Sequence, residues 1–330
     1  MLEVRARGRR NGPPGRPWRL VFFGSSAFAC PALEALARSP DELVLVVAPP
    51  PAPAGRGRRL RPCPAAEAAE NLGLTVWPAL SARSPETIRA VATCQPDLLV
   101  VAAFGGFLPS ELLKLTPWPP LNLHPSLLPR HRGPAPVNWS LIHGDREVGL
   151  SVIFLEEVMD AGPILRQRAW PVTGPDSAGV WEDRLAAAGA EELLAAVAEL
   201  KSGRILARPQ EAALVTINPL LRKTDGRVDF SRPATALAGL INGVDPWPGA
   251  TAALGGRALK IFGAAPVVIH RPPGELPGRV LGLDEHGRLL VAAGQGVLAV
   301  AEFQPEGKKR LSAADFNRGY RPEGLESGKK

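Results

Sequence analysis

Short apolar segments alternate with amphipathic segments through the first two thirds of the chain, and this alternation constrains the fold more than any other feature. RLVFFG (19–24) and ELVLVVA (42–48) predict strands, and residues 27–37 between them carry apolar side chains at helical spacing. Strands that are apolar on both faces and separated by helices are typical of a parallel sheet covered on both sides. The sequence therefore predicts a doubly wound, mostly parallel α/β domain.

The same pattern continues to about residue 203 and defines the first predicted domain, residues 19–203. It predicts helices over 65–72 and 85–92, strands over 74–77, 98–103, 121–123 and 149–154, a helix beginning near Pro136 and a long helix over 180–203. Ser202-Gly203 is a good helix stop. Residues 204–222 contain Pro209 and Pro219 and little periodicity, which predicts a linker.

The chain changes character after the predicted linker. Short apolar runs separated by Gly turns, as in GRVLGLDEHGRLLVAAGQGVLAVAEFQ, predict a small, OB-like β-barrel or a sandwich over residues 223–320. Residues 1–18 are rich in Arg, Gly and Pro and predict a flexible tail, with an organelle-targeting remnant as the alternative; residues 321–330 predict a disordered tail. We expect a cytoplasmic protein, with the mitochondrial matrix as the alternative.

Composition excludes several classes of protein. Hydrophobic residues make up 45% of the 330 residues, charged residues 22%, and the net charge is +7, so the chain is neither fibrous nor disordered. No apolar run approaches the ~20 residues of a membrane-spanning helix. The three cysteines, Cys30, Cys63 and Cys94, lack CxxC spacing and neighbouring His, which argues against a disulfide framework or a metal site.

Polar side chains follow the predicted strands at positions where open α/β sheets place their sites. The glycine-rich signatures GxGxxG and GxxxxGK[ST] are both absent, so neither a dinucleotide nor an NTP phosphate site is indicated. Asn122 and His124 alternate in a strand-like stretch, which puts both side chains on one face. Asp160 follows the next strand and, if the two strand ends are neighbours, it accepts a proton or orients His124. Taken singly, each of the three is more typical of a structural role: a hydrogen-bonded His at a strand end, a turn-forming or capping Asn, and a turn Asp.

Longer motifs connect these residues to a known family. NLHPSLLPRHRGPAPVNWSLIHGD (122–145), MDAGPIL (159–165) and AAFGGFLP (102–109) resemble the folate-dependent formyltransferases. The resemblance extends to APAGRGRRLRP (52–62), to LVTINPLLRKTDGRVDF (214–230) and to QPEGKKRLSAADF (304–316), and so covers about residues 19–320.

The resemblance implies an activity. The family member expected from these motifs transfers the formyl group of 10-formyltetrahydrofolate to the α-amino group of methionine on initiator methionyl-tRNA, for translation initiation. It implies that Asn122, His124 and Asp160 are catalytic and that no metal is required. One sequence leaves the oligomeric state open, although a monomer would suit an enzyme that acts on one tRNA. The folate-binding residues that it implies are Phe104, Gly105, Leu108, Ser126, Leu127, Leu128 and Pro129; a rigid Pro-bounded turn also accounts for the last four.

The resemblance also implies contacts with the acceptor. Phe28 occupies the position where the family packs the methionine side chain, and a plain core role is equally compatible. The basic loop Gly55 to Arg61 carries Arg56, Arg58, Arg59 and Arg61, which suit phosphate and base-edge contacts with tRNA. Arg130 and Arg132 are expected at the folate tail or the tRNA, or as solvated surface charges.

Departures from the family pattern and rival activities remain. Pro125 replaces the commoner Gly after the His, Phe104 replaces a Tyr, and the segment before Gly55 is Pro-rich where an acidic-basic pair is usual. The rivals are formyl transfer to an amino sugar nucleotide, hydrolysis of formyl-folate, and a catalytically silent RNA-binding protein. The arginine loop argues against a small-molecule acceptor, and the intact Asn, His and Asp set argues against a silent protein.

Overall fold

A computed structural model describes residues 2–3, 16–54, 59–203, 206–269 and 274–328. Within these ranges the strands are β1 (Leu2–Glu3), β2 (Arg19–Gly24), β3 (Glu42–Ala48), β4 (Ala52–Ala54), β5 (Arg59–Arg61), β6 (Val76–Pro78), β7 (Leu98–Ala102), β8 (Leu121–His124), β9 (Glu147–Phe154), β10 (Ile164–Pro171), β11 (Leu206–Ala207), β12 (Ala250–Leu254), β13 (Arg257–Val267), β14 (Val280–Leu283), β15 (Leu289–Ala292), β16 (Val297–Pro305) and β17 (Leu311–Ser312). The α-helices in the same ranges are α1 (Cys30–Ala37), α2 (Pro64–Asn71), α3 (Pro85–Thr93), α4 (Ser110–Leu113), α5 (Pro136–Ile142), α6 (Ala178–Ser202), α7 (Ala234–Gly243) and α8 (Ala313–Tyr320).

The chain divides into two compact units. The first comprises Met1–Gly133, Gly149–Ala169 and Glu182–Ile217, and the second comprises Pro134–Val148, Trp170–Trp181 and Asn218–Lys330. In the middle of the chain, segments of the two units alternate along the sequence. The domains predicted from the sequence instead follow one another without alternating. Residues 206–217, which fall in the predicted linker, lie in the first unit. The domain limits predicted from the sequence stay predictions.

The first unit is built on a seven-stranded sheet in the order β10-β9-β8-β7-β2-β3-β6. Strands β7, β2, β3, β6 and β8 pair in parallel, and β9 joins antiparallel to β8. The predicted doubly wound, mostly parallel sheet is thereby confirmed. Strand order changes direction between β2 and β7, and the carboxyl ends at such a switch point are where open α/β sheets bind ligands.

The apolar residues of this sheet are covered on alternate faces. Every residue of β7 is buried, and its odd-numbered side chains join a core cluster with residues of α3 and α4. Helix α3 begins after Ser84, whose side chain accepts the backbone N–H of Thr87 at 3.2 Å. On β8, Leu123 points to the side covered by α6, where a Cβ on Gly189 would lie 2.7 Å from the Leu123 side chain. Asn122 and His124 consequently point to the opposite side.

The second unit contains an antiparallel sheet in the order β12-β13-β16-β15-β14, and β17 pairs with β16. The prediction of a strand-rich C-terminal region is confirmed; its OB-like barrel topology stays a prediction. Helices α7 and α8 were not predicted from the sequence, and they pack on this sheet through buried residues including Leu237, Ile241 and Phe316. Helix α8 begins after Ser312, whose hydroxyl oxygen accepts the backbone N–H of Asp315 at 3.1 Å.

Candidate active site

Strand β8 presents two buried polar side chains on one face of the first unit's sheet. Asn122 is 8% exposed and His124 is 6% exposed. Asn122 pairs with Val101 of β7, so these side chains share a face of the sheet. Val101 belongs to a core cluster with Phe104 and Leu108. The predicted catalytic pair and the segment after β7 are therefore on the same side of the sheet.

Asp160 reaches this face by a different route from the one expected. Because β9 is antiparallel to β8, it ends opposite Leu121 rather than beside His124. The two strand ends are therefore not neighbours, which was the condition set for the role of Asp160. The turn after β9 brings the carboxylate back over the face. Asp160 Oδ1 lies 3.4 Å from Asn122 Nδ2, and Oδ2 lies 3.7 Å from His124 Nδ1. The three residues predicted to be catalytic thus converge, and their roles stay a prediction.

The turn that carries Asp160 is tightly constrained. Asp160 itself has a positive φ of 49°, a conformation that is costly for a residue with a side chain and that clusters at functional sites. A Cβ on Gly162 would lie 1.8 Å from the carbonyl oxygen of Phe154, so only glycine fits there. The backbone N–H of Gly133 donates to Asp160 Oδ2 at 2.8 Å and fixes the carboxylate.

A backbone carbonyl orients the imidazole of His124. Its Nε2 lies 2.9 Å from the carbonyl oxygen of His131, and a carbonyl only accepts, so Nε2 carries a proton in either charge state. His131 has a positive φ of 59°. The ring nitrogen that faces Asp160 is therefore Nδ1. At 3.7 Å this contact is longer than a hydrogen bond, and the orienting role expected of Asp160 stays a prediction.

The arrangement suits stabilisation of an oxygen that gains negative charge. The Asn122 carboxamide has two N–H groups, of which the contact with Asp160 uses one, so the other is available to a substrate oxygen. A protonated His124 adds a second donor through Nδ1. A carboxylate beside them can accept a proton from an attacking group. These are the elements of acyl-transfer chemistry at a carbonyl carbon.

The predicted folate-binding residues after β7 lie in different environments. Phe104 and Leu108 are buried, and the ring of Phe104 meets that of Phe23 edge to face with centroids 5.3 Å apart. Gly105 has φ of 79° and open space where a Cβ would stand. Phe104 and Leu108 therefore pack in the core beside the end of β7, while the backbone at Gly105 is open to a ligand.

The loop after β8 is held rigidly from behind. Ser126 is buried and its hydroxyl donates to the Arg130 carbonyl at 2.8 Å. Ser151 donates to the Ser126 carbonyl at 2.7 Å and accepts from the backbone N–H of Leu128 at 3.2 Å. The peptide bond between Leu128 and Pro129 is cis. The Leu127 side chain lies against Gly149, where a Cβ would lie 2.4 Å from it. Both the folate loop and the rigid turn remain compatible with this geometry.

The predicted acceptor-binding residues are scattered. Phe28 lies in a 3-10 turn directly after β2 and is 8% exposed, which fits the core role as well as a pocket wall. Arg59 and Arg61 are exposed on β5, which pairs with β4 as a hairpin; Arg56 and Arg58 lie outside the described residues. Arg132 is partly buried, and both Nε and an Nη donate to Gln210 Oε1, at 3.0 and 2.8 Å.

Several residues at the site were not predicted from the sequence. Gln210 binds the Asp160 turn, Thr216 Oγ1 accepts the backbone N–H of His131 at 2.7 Å, and Gly133 binds the Asp160 carboxylate. All three act through hydrogen bonds between parts of the chain far apart in sequence. The DAGP turn at 160–163 was the one local signal of the constraint.

The described residues also bear on thiol and metal chemistry. Burial raises the pKa of the Cys30 thiol, and the Glu34 carboxylate raises it further, so this thiol stays protonated at neutral pH and is a poor nucleophile. Across the described ranges, no three His, Cys, Asp or Glu side chains are grouped so that they could hold a metal ion. In the same ranges, no helix has the length and apolar character needed to cross a membrane.

Two family models match this chain. Residues 18–197 match the family described as formyl transferase, and residues 220–321 match its C-terminal domain. The chain therefore belongs to the formyl transferase family.

Individual relatives show which members of the family this chain is similar to in sequence. A methionyl-tRNA formyltransferase from Desulfotalea psychrophila is 42% identical over 298 residues, which cover 90% of this chain and 91% of the relative. Another from Citrifermentans bemidjiense is 39% identical over 93% of this chain and 96% of its own.

Solved structures share the fold at lower identity. An N-formyltransferase from Helicobacter canadensis, in complex with folinic acid and dTDP-3-aminofucose, has a TM-score of 0.61 at 13% identity and covers 87% of this chain and 98% of its own. HypX from Aquifex aeolicus, in complex with tetrahydrofolic acid, has a TM-score of 0.58 at 19% identity. The match covers 92% of this chain and 47% of HypX, so the chain spans about half the length of HypX.

Proposed function

We propose that the protein transfers the formyl group of 10-formyltetrahydrofolate to the α-amino group of methionine on initiator methionyl-tRNA. The observation that carries the chemistry is the convergence of Asn122, His124 and Asp160 on one face of β8. The identity of the acceptor is supported by the methionyl-tRNA formyltransferases that align over nine tenths of the chain.

The reaction forms one C–N bond and breaks another. The neutral amine attacks the formyl carbon, the formyl oxygen gains negative charge, and collapse of this intermediate breaks the bond to N10 of the folate. The amine loses a proton to Asp160, and Asp160 returns it to N10 as that nitrogen leaves. The free N–H of Asn122 and the Nδ1–H of protonated His124 stabilise the oxygen, and Asp160 takes the proton of the amine directly or through water.

The folate substrate is proposed to bind along the loops after β7 and β8. Val101 and Asn122 are paired across these strands, and the open backbone at Gly105 follows on the same side. Ser151 and Gln167 fix the β8 loop from behind, since Gln167 Nε2 donates to the Leu128 carbonyl at 2.8 Å. A rigid loop places its backbone groups for a ligand without a large ordering cost.

The arginine hairpin is proposed to hold the tRNA. Arg59 and Arg61 lie two apart on β5 and so project to the same side, exposed to solvent. In the Arg59→Ala/Arg61→Ala double variant we expect a higher KM for tRNA, an unchanged KM for folate and a shallower salt dependence, by about one in the log–log slope for each phosphate that the variant no longer neutralises. Arg89→Ala, an exposed arginine on α3, is the matched control. An unchanged salt slope would remove the hairpin from the tRNA interface.

An acceptor competition tests the proposed function. Purified protein with 10-formyltetrahydrofolate is offered charged initiator tRNA, an amino sugar nucleotide, or buffer alone. We expect formylmethionyl-tRNA as the product, with little transfer to the sugar and little release of formate. Preferential transfer to the sugar nucleotide, or hydrolysis without an acceptor, would overturn the assignment.

Two further properties follow from this function. The candidate catalytic residues come from one unit of one chain, so we propose that a monomer is competent. Analytical ultracentrifugation of the active enzyme tests this. The aligned relatives come from bacteria. We therefore propose that this enzyme of translation initiation acts in the cytoplasm.

A further inference from the structure

The turn that carries Asp160 is held from outside by one glutamine. Gln210 Nε2 donates to the carbonyl oxygen of Asp160 at 2.7 Å and to that of Gly162 at 2.8 Å. Both N–H groups of the amide are thereby used on the backbone that flanks the carboxylate. Gln210 and Asp160 are 50 residues apart in the chain, so this contact is specific to the folded site.

The other end of the same amide is fixed by Arg132. Its Nε and one Nη donate to Gln210 Oε1 at 3.0 and 2.8 Å, which is the fork geometry that a guanidinium offers and an ammonium does not. The amide orientation is set by this chemistry, because a flipped amide would face N–H groups to the guanidinium and an oxygen to two carbonyls. Arg132, Gln210 and the Asp160 turn thus form a chain of charge-assisted and neutral hydrogen bonds.

The segment that carries Gln210 is attached on both sides of the site. Arg208 pairs with Ile164 at the start of β10 through backbone bonds of 2.8 and 2.9 Å. Thr216 Oγ1 accepts the backbone N–H of His131 at 2.7 Å, and its carbonyl accepts that of Arg132 at 2.9 Å. Since the carbonyl of His131 orients His124, the same segment supports both the imidazole and the carboxylate.

We infer that Gln210 and Arg132 are positioning residues of the formyl transfer, which hold the Asp160 carboxylate against Asn122 and His124. Asp160 has a positive φ, and a strained backbone persists only where its surroundings enforce it. Without Gln210 the turn relaxes, and the carboxylate leaves its place beside Asn122. The inference rests on the proposed function, and it assigns Arg132 to the site's internal support rather than to tRNA or folate.

Variants of Gln210 test the clamp by separating kcat from KM. Gln210→Met keeps the length and removes all the hydrogen bonds, and Gln210→Glu keeps the acceptor for Arg132 but faces a carboxylate to two carbonyls. We expect both to lower kcat by about 10–100-fold, the scale of a ~1 Å misplacement, with both KM values within about twofold. Arg132→Lys should retain more activity than Arg132→Ala. The control, Gln95→Met, changes an exposed glutamine in the turn after α3.

A measurement without turnover accompanies the kinetics. Hydrogen-deuterium exchange of peptides covering residues 155–163 should be faster in Gln210→Met than in the wild type and unchanged in Gln95→Met. If the wild type fails to formylate methionyl-tRNA, the proposed function fails while this exchange still tests the clamp. If the wild type turns over and Gln210→Met keeps both its kcat and its exchange pattern, the inference is overturned. It is also overturned if Arg132→Ala changes the salt dependence of the KM for tRNA and leaves kcat unchanged.

Discussion

Two buried asparagines show how the site differs from the core of the second unit. Asn242 on α7 is bonded at both ends to one residue, with Nδ2 2.8 Å from the Ala264 carbonyl and Oδ1 2.9 Å from the Ala264 N–H. Asn122 makes one contact of 3.4 Å with Asp160. A buried amide that is bonded to the backbone through both its nitrogen and its oxygen supports structure, whereas one held by a single long contact is available to a ligand.

The surroundings of the two amides differ in the same way. Asn242 borders a cluster of buried aliphatic and aromatic residues in the second unit. Around Asn122 the buried residues include His124, Ser126, His131 and Ser151. Positive φ values also occur at His131 and Asp160, whose oxygens contact the His124 ring. Polar burial and backbone strain are tolerated where function requires them, and the rest of the fold compensates for their cost.

The largest expected effect comes from removing each amide in turn. Asn122→Ala should lower kcat by about 10²–10³-fold, the cost of removing an oxyanion donor worth ~2.7–4 kcal/mol, with little effect on stability. Asn242→Ala should leave kcat per folded molecule unchanged and lower the free energy of unfolding by about 1–3 kcal/mol, because it leaves the polar groups of Ala264 unpaired. Steady-state kinetics and thermal unfolding of both variants test this contrast.

One result would contradict this contrast between the two asparagines. If Asn122→Ala unfolds the protein while its folded fraction keeps normal turnover, Asn122 is a structural residue like Asn242.

A second comparison uses two glycines, one in each unit, and the expected effects are smaller. A Cβ would lie 1.8 Å from a carbonyl oxygen at Gly162 and 1.7 Å from one at Gly294, in the second unit. Gly162→Ala and Gly294→Ala should each cost about 1–3 kcal/mol of stability through overpacking. Only Gly162→Ala should also lower kcat, since it displaces the Asp160 turn. Equal kcat values for the two variants at a temperature where both are folded would contradict the role of the turn.

The sequence could predict the parts of the fold that depend on local pattern. Strands β2 and β7 are buried on both faces, so each appears as a continuous apolar run. Strand β10 was missed because most of its residues are partly exposed and its sequence, ILRQRAWP, has no clear alternation. Helix α7 contains two glycines together with Thr235 and Asn242, which are poor helix formers, so its propensity is mixed and packing adds to its stability.

The sequence was enough to predict which residues form the candidate site, but not how the chain brings them together. Asn122 and His124 share a face because a strand has a period of two, and the sequence carries that period. The antiparallel direction of β9 depends on long-range pairing, so the route of the chain to Asp160 could not be predicted. Gln210 lies in a segment with Pro209 and no periodicity. This segment looks like a linker, because hydrogen bonds from one amide across about 50 residues leave no local signal.

The smallest effect concerns two carboxylates with opposite shifts. Burial raises the pKa of Glu182 in the first unit, with help from the neighbouring charge of Asp183. At Asp284 in the second unit, burial opposes ionisation, but hydrogen bonds from the backbone and side chain of Arg288 lower the pKa overall. Charged Glu182 therefore costs stability at neutral pH and the cost disappears as the pH falls below its folded pKa, whereas Asp284 contributes stability at neutral pH that is lost on acidification.

Thermal unfolding as a function of pH tests these signs. At pH 7, Glu182→Gln should raise Tm slightly and Asp284→Asn should lower it. The Glu182→Gln difference should vanish at low pH, where the wild-type side chain is also neutral, and the Asp284→Asn difference should shrink there. A Glu182→Gln variant less stable than the wild type at pH 7 would mean that the charged form makes a favourable contact.

The central claim is that an amide on β8 and a carboxylate brought back by the turn after β9 act as one unit. The most direct test is a double-mutant cycle of Asn122→Ala and Asp160→Asn, measured as the single-turnover rate of formyl transfer to methionyl-tRNA with both substrates saturating. We predict strong coupling, with the double variant within about threefold of the slower single variant, as residues that act together are non-additive. Independent effects that multiply in the double variant would contradict the claim.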